Sequence, residues 1–218
     1  MTTRRLAAGC IASLGWAALW LQLYLTVELA KAHEVSIATA VISYFSFFTI
    51  LTNLLVALCL TLVACEQHDE SLWNKPATQT SLALYILVVA IVYAAVLQGL
   101  WTPSGLEYIT DRMFHAVLPL LYVIFWLLLT PKGSLRLIDQ ISWQAYPLTY
   151  LFYTLARGAL IGAYPYPFLN VAQEGYAGVL LNSFYLLVLF LILGTLLIIV
   201  DWLLGSLQTR WQSQIPAP

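Results

Sequence analysis

Six stretches of about 20 or more predominantly apolar residues run through the chain, separated only by short polar connections. A run of that length matches the hydrocarbon thickness of a bilayer and exceeds what a helix or strand in a water-soluble core needs. The stretches fall at about 6–30, 37–65, 77–100, 111–129, 143–162 and 177–205. They predict an all-α fold, a polytopic integral membrane protein built as a six-transmembrane-helix bundle. No connection is long enough for a second domain, so residues 1–218 read as one six-helix transmembrane domain. Composition agrees, because 61% of residues are hydrophobic and only 9% are charged, against roughly a quarter charged in soluble domains.

The few cations set the expected orientation. With the N-terminus inside, Arg4, Arg5, Lys75, Lys132, Arg136 and Arg210 fall on the cytoplasmic side, whereas Lys31 and Arg112 fall opposite. That asymmetry predicts N-in/C-in. Trp73, Trp101, Trp143, Trp202 and Trp211 lie near span ends, as interfacial anchors do. The absence of a basic tract argues against a nucleic-acid partner. Cys10, Cys59 and Cys65 show no metal spacing, so neither a metal site nor a cofactor is expected, and the thiols read as buried or lipid-facing.

Polar groups inside apolar spans are costly and raise a functional question. In the second span Ser43, Ser46, Thr49 and Asn53 recur at three, three and four residues, on one face of a continuous helix, with Thr52 beside them. Such a stripe serves helix packing as readily as chemistry. The fourth span opens with Asp111, Arg112 and His115. The i,i+4 spacing stacks Asp111 on His115, where a carboxylate orients an imidazole and raises its basicity; the competing reading is an interfacial charge cluster. Pro119 cannot donate to the His115 carbonyl and should kink the helix. The fifth span carries Tyr146, Tyr150, Tyr153 and Arg157 on one face. Arg157 either snorkels or holds an anionic headgroup. Gln22, Glu28 and Asn182 are further candidates for the same lining, which gathers toward the outer half of the membrane.

The segments YFSFFTILTNLL (44–55), FHAVLPLLYVIFWLLLTPKG (114–133) and YPLTYLFYTLARGALIGAYPYPFLN (146–170), in this order, resemble the bacterial Pr-six-Pr membrane-protein family. That family is distantly similar to the androgen-induced (androgen-dependent TFPI-regulating) intramembrane threonine hydrolases, which cleave fatty-acid esters of hydroxy fatty acids. The resemblance implies Thr49 as nucleophile, in Phe48-Thr49-Ile50-Leu51, and His115 as base, in His115-Ala116-Val117-Leu118-Pro119. Thr52-Asn53 departs from the pattern and makes Thr52 a competing hydroxyl. The implied reaction is hydrolysis of a lipid acyl ester in a bacterial inner membrane, with Asp111 orienting His115. Asn53, Arg157 or Asn182 would stabilise the oxyanion or bind a substrate carboxylate. The alternative is a non-catalytic binder or carrier of lipids or other amphiphiles.

Overall fold

The computed structural model describes residues 2–65 and 71–214, with side chains described up to residue 209. Residues 66–70 lie outside the described set, as do the side chains of Arg210, read above for orientation, and Trp211, read above as an anchor. All regular structure among the described residues is helical: α1 (Thr3–Ala32), α2 (Ile37–Tyr44), α3 (Phe48–Cys65), α4 (Pro76–Val92), α5 (Gly105–Arg112), α6 (Leu118–Leu129), α7 (Asp139–Trp143), α8 (Ala145–Ile161) and α9 (Val171–Gln214). Five helices are long and apolar enough to cross a membrane: Thr3–Ala32, Phe48–Cys65, Pro76–Leu97, Gly105–Leu129 and Val171–Thr209. Their outward surface carries side chains such as Leu120, Leu128 and Phe184, which suits hydrocarbon and not water.

Several expected boundaries shift, each for a local reason. The stretch 37–65 is not one helix, because α2 ends at Tyr44 and α3 starts at Phe48. The stripe Ser43–Ser46–Thr49–Asn53 is therefore split across the break. No proline or glycine marks the break; its polar backbone is met from elsewhere, as when the Tyr150 hydroxyl donates to the Ser46 carbonyl at 2.9 Å. The fourth span begins at Gly105, so Asp111 and His115 lie inside it, not at its opening. A π turn, Met113–Val117, joins α5 to α6 just before Pro119. This wide turn absorbs the proline that an unbroken α-helix would not accommodate. The fifth segment is composite: α7 and α8 are separate helices, and α8 has 17 residues. Trp143 is no interfacial anchor. It is buried, and its carbonyl accepts from the Tyr85 hydroxyl at 2.7 Å, well inside α4.

Packing follows membrane rules. Along the seam between α1 and α3, a Cβ on Gly15 would lie 3.3 Å from the Ala57 Cβ; small residues let these backbones approach. Arg5 donates to the Ala64 and Cys65 carbonyls at 3.0 and 3.3 Å, capping the C-terminus of α3. The start of α1 and the end of α3 therefore share one end of the bundle. At that end Arg4 also donates to Asn74 at 3.1 Å. Between α4 and α6, Trp126 donates to Thr80 at 2.8 Å and Thr130 to Gln79 at 2.7 Å.

Candidate functional site

At the opposite end of the bundle lie two cavities that share a wall. The larger, about 360 Å³, is lined by polar groups from separate elements, among them Gln22, Ser43, Thr49, Glu107, Asp111 and His115. The smaller, about 100 Å³, is apolar and lies among α3, α4, α8 and α9, with Val88, Val92, Leu151, Leu187 and Phe190 on its walls. Thr49, Leu97 and Tyr166 border both.

Thr49 stands in the first turn of α3, where the break leaves helix-initial backbone amides inside the bundle. Its N–H donates to the Tyr166 hydroxyl at 3.2 Å, and its Oγ1 lies 3.3 Å from the same hydroxyl. Tyr166 is buried between Pro165 and Pro167, with Phe47 against its ring edge and Phe168 stacked on its face. Burial pushes its phenol above the ordinary value, although the bonds from Thr49 pull the other way; it therefore stays a neutral donor.

His115 projects from the π turn. Its Nδ1 lies 3.0 Å from the Asp111 carbonyl oxygen and 3.2 Å from Asp111 Oδ1. Both are acceptors, so Nδ1 carries the proton and Nε2 keeps the lone pair that a base requires. The ring stacks on Tyr93 with centroids 3.8 Å apart. Tyr93 in turn donates to Asp111 Oδ2 at 2.7 Å. Asp111 thus fixes His115 with one oxygen and is itself held through the other. Next to it, Thr110 donates to Gln22 of α1, which ties the wall of the polar cavity to a third element.

Thr49, Asp111 and His115 therefore face one cavity together with Gln22 and Ser43, while Asn53, Thr52, Arg157 and Asn182 do not line it. Asn53 donates to the Thr49 carbonyl at 2.9 Å and lines neither cavity. Its Oδ1 is buried with no hydrogen-bond partner among the described residues. Arg157 donates to the Ala163 carbonyl at 3.1 Å and to Ser43 at 3.4 Å, and reaches the cavity only through Ser43. Asn182 donates to the Phe168 carbonyl at 3.0 Å, bracing the segment that carries Tyr166. Thr52 is fully buried, shares a hydrogen bond with Tyr146 at 3.1 Å and lines neither cavity. Glu28 pairs with Lys31 at 2.7 Å. Among the described residues no group of three or more His, Cys, Asp or Glu side chains is arranged for a metal ion.

Sequence reasoning passed over two residues. Tyr166 lies in a Tyr-Pro-Tyr-Pro run that reads only as a turn, yet two flanking prolines are what a rigidly presented side chain would use. Tyr93 carries no local signal, since it is one aromatic in an apolar span.

The chain matches no family model, curated protein or solved structure. The chemistry therefore rests on the residues themselves.

Proposed function

We propose that this protein is an intramembrane hydrolase of lipid acyl esters, with Thr49 as nucleophile and His115 as base. It is a six-span bundle with both termini in the cytoplasm, related to the Pr-six-Pr family, and its site lies in the outer half of the membrane. One observation carries the reading: Thr49 borders both a polar cavity, which it shares with His115 and Asp111, and an apolar one. An ester lying across that boundary has its carbonyl beside the threonine, its acyl chain in the apolar cavity and its alcohol portion in the polar one.

In the reaction, His115 Nε2 takes the proton from Thr49 Oγ1 as that oxygen bonds to the ester carbon, and the carbonyl π pair moves onto oxygen. Collapse of this adduct expels the alcohol, which receives the proton from His115. Water then attacks the acyl-threonine by the same route and releases the fatty acid. Asp111 holds the Nδ1–H tautomer and favours the transient imidazolium.

A second reading, a non-catalytic binder of amphiphiles, is favoured by one feature: the Thr49 hydroxyl is paired with Tyr166, and no hydrogen bond joins Thr49 to His115 among the described residues. Catalytic contacts often tighten only with substrate bound. A fluorophosphonate probe on purified protein separates the two. Labelling that disappears in Thr49→Ala and His115→Ala but survives in Thr52→Ala supports the hydrolase. A folded wild type that never labels favours the binder.

A further inference from the structure

Acyl transfer needs more than a nucleophile and a base, because negative charge develops on the carbonyl oxygen and must be met by donors fixed beforehand. The groups that sequence reasoning offers for this task, Asn53, Arg157 and Asn182, are engaged elsewhere and line neither cavity. The donors closest to Thr49 Oγ1 are different ones. Near the start of α3, the amides of Ser46, Phe47 and Leu51 are bonded to the Ser43, Tyr44 and Phe47 carbonyls. The Thr49 amide instead points at the Tyr166 hydroxyl, which also lies within reach of Thr49 Oγ1. The start of a helix also favours negative charge.

We propose that Tyr166 is a catalytic residue that, with the Thr49 backbone amide, forms the oxyanion hole of this site. The assignment rests on the acyl-transfer reading. In the resting protein the two donors are parked on each other, amide to phenol oxygen. A substrate carbonyl entering beside Thr49 takes the amide proton in place of the phenol, and the freed phenol O–H donates to the same oxygen. As Thr49 Oγ1 bonds to carbon, both donors shorten onto the forming oxyanion. No proton leaves Tyr166, so the step balances with His115 as the only proton acceptor. The flanking prolines and the packing of Phe47 and Phe168 keep the phenol from having to be ordered during the reaction.

The test uses the full chain in lipid nanodiscs and p-nitrophenyl octanoate. Tyr166→Phe is expected to lower kcat by about 10²–10³-fold, the effect of losing one oxyanion donor, with KM nearly unchanged. Affinity for an alkyl trifluoromethyl ketone, which forms a tetrahedral adduct with the nucleophile, should fall in parallel. Affinity for the unreactive alkyl methyl ether of the same chain length should not. Tyr122→Phe removes a buried hydroxyl that bonds the Gln79 carbonyl and lines neither cavity, and serves as a control that should keep the ratio of the two affinities.

A Tyr166→Phe protein that keeps full turnover while Thr49→Ala abolishes it would overturn the assignment and leave the threonine hydrolase standing. A wild type without turnover or probe labelling would remove both. If Tyr166→Phe does not fold, difluorotyrosine at position 166 keeps the shape with a more acidic phenol. A shift in the pH profile of acylation then supports the role, and an unchanged profile overturns it.

Discussion

Asp111 accepts from His115 on one oxygen and from Tyr93 on the other. Exchanging the carboxylate for an amide turns one acceptor into a donor and sets it against a ring or hydroxyl proton. Asp111→Asn should therefore slow probe labelling by about 10²-fold or more, the usual scale for losing a working general base. Tyr93→Phe keeps the ring stack and loses only one bond to Asp111, so its labelling rate should fall much less. Comparing the two rates measures how much of the effect lies in orienting the imidazole.

Lys132, in the connection after α6, tests a different balance. It lies over the Trp126 ring and donates to the Trp126 and Thr130 carbonyls. Burial nevertheless lowers its pKa from 10.5 to about 8, with Asp201 opposing the shift. Well below pH 8 the folded state holds the buried charge. Between about 8 and 10.5 the folded protein loses this proton before the unfolded chain does, so stability rises with pH over that window. A thermal midpoint that climbs from pH 8 to 10 in wild type, and climbs less in Lys132→Met, is the expected result.

At the level of elements, the interruption between α2 and α3 governs the site, since it gives Thr49 its helix-initial amide. Tyr150→Phe leaves the Ser46 carbonyl unmet in a buried setting and should destabilise the fold by about 1–3 kcal/mol, measurable by denaturation in mixed micelles. Gly158 of α8 serves the segment around Tyr166: a Cβ there would lie 1.9 Å from the Tyr164 ring. Gly158→Ala should displace Tyr164, and with it the segment that ends at Tyr166. Labelling should fall while the helical circular dichroism stays the same.

The elements differ in how visible they are in the sequence. Apolar length marks the helices, and i,i+4 spacing already pairs Asp111 with His115, because both signals are local. The break at residues 45–47 is not legible. Its stretch Phe45-Ser46-Phe47 is ordinary for a helix, and its compensation comes from Tyr150 and Tyr166, more than 100 positions away. Thr49 beside Tyr166 is likewise a tertiary fact. Asn53 is singled out by its place on the polar stripe, Arg157 by its charge at the end of the tyrosine face and Asn182 by depth, and none of these tells which way a side chain points.

Over the whole molecule, the connection after α6 is clamped to α9. Asp201 accepts from the Gly133 and Leu135 amides at 2.9 and 3.1 Å, and Trp202 donates to the Leu135 carbonyl at 2.7 Å. A Cβ on Gly205 would lie 2.5 Å from the Gly133 Cα. Backbone meets backbone there, and no side chain can yield. Gly205→Ala should therefore cost about 1–3 kcal/mol, as overpacking does, read as a lowered thermal midpoint. The proposed orientation is open to direct labelling. In intact spheroplasts an impermeant maleimide should leave Cys65 untouched and modify a cysteine introduced at His33. The opposite pattern would invert the bundle.

The wall shared by the two cavities also bears on how the products of the proposed reaction would part. It is a small boundary between an apolar and a polar space, formed by Thr49, Leu97 and Tyr166. In the proposed hydrolysis the two fragments of a cut ester would begin their exit in different surroundings, the acid in the apolar cavity and the alcohol in the polar one. Each would then be carried off by its own partitioning, and dilution into two phases would keep them from rejoining.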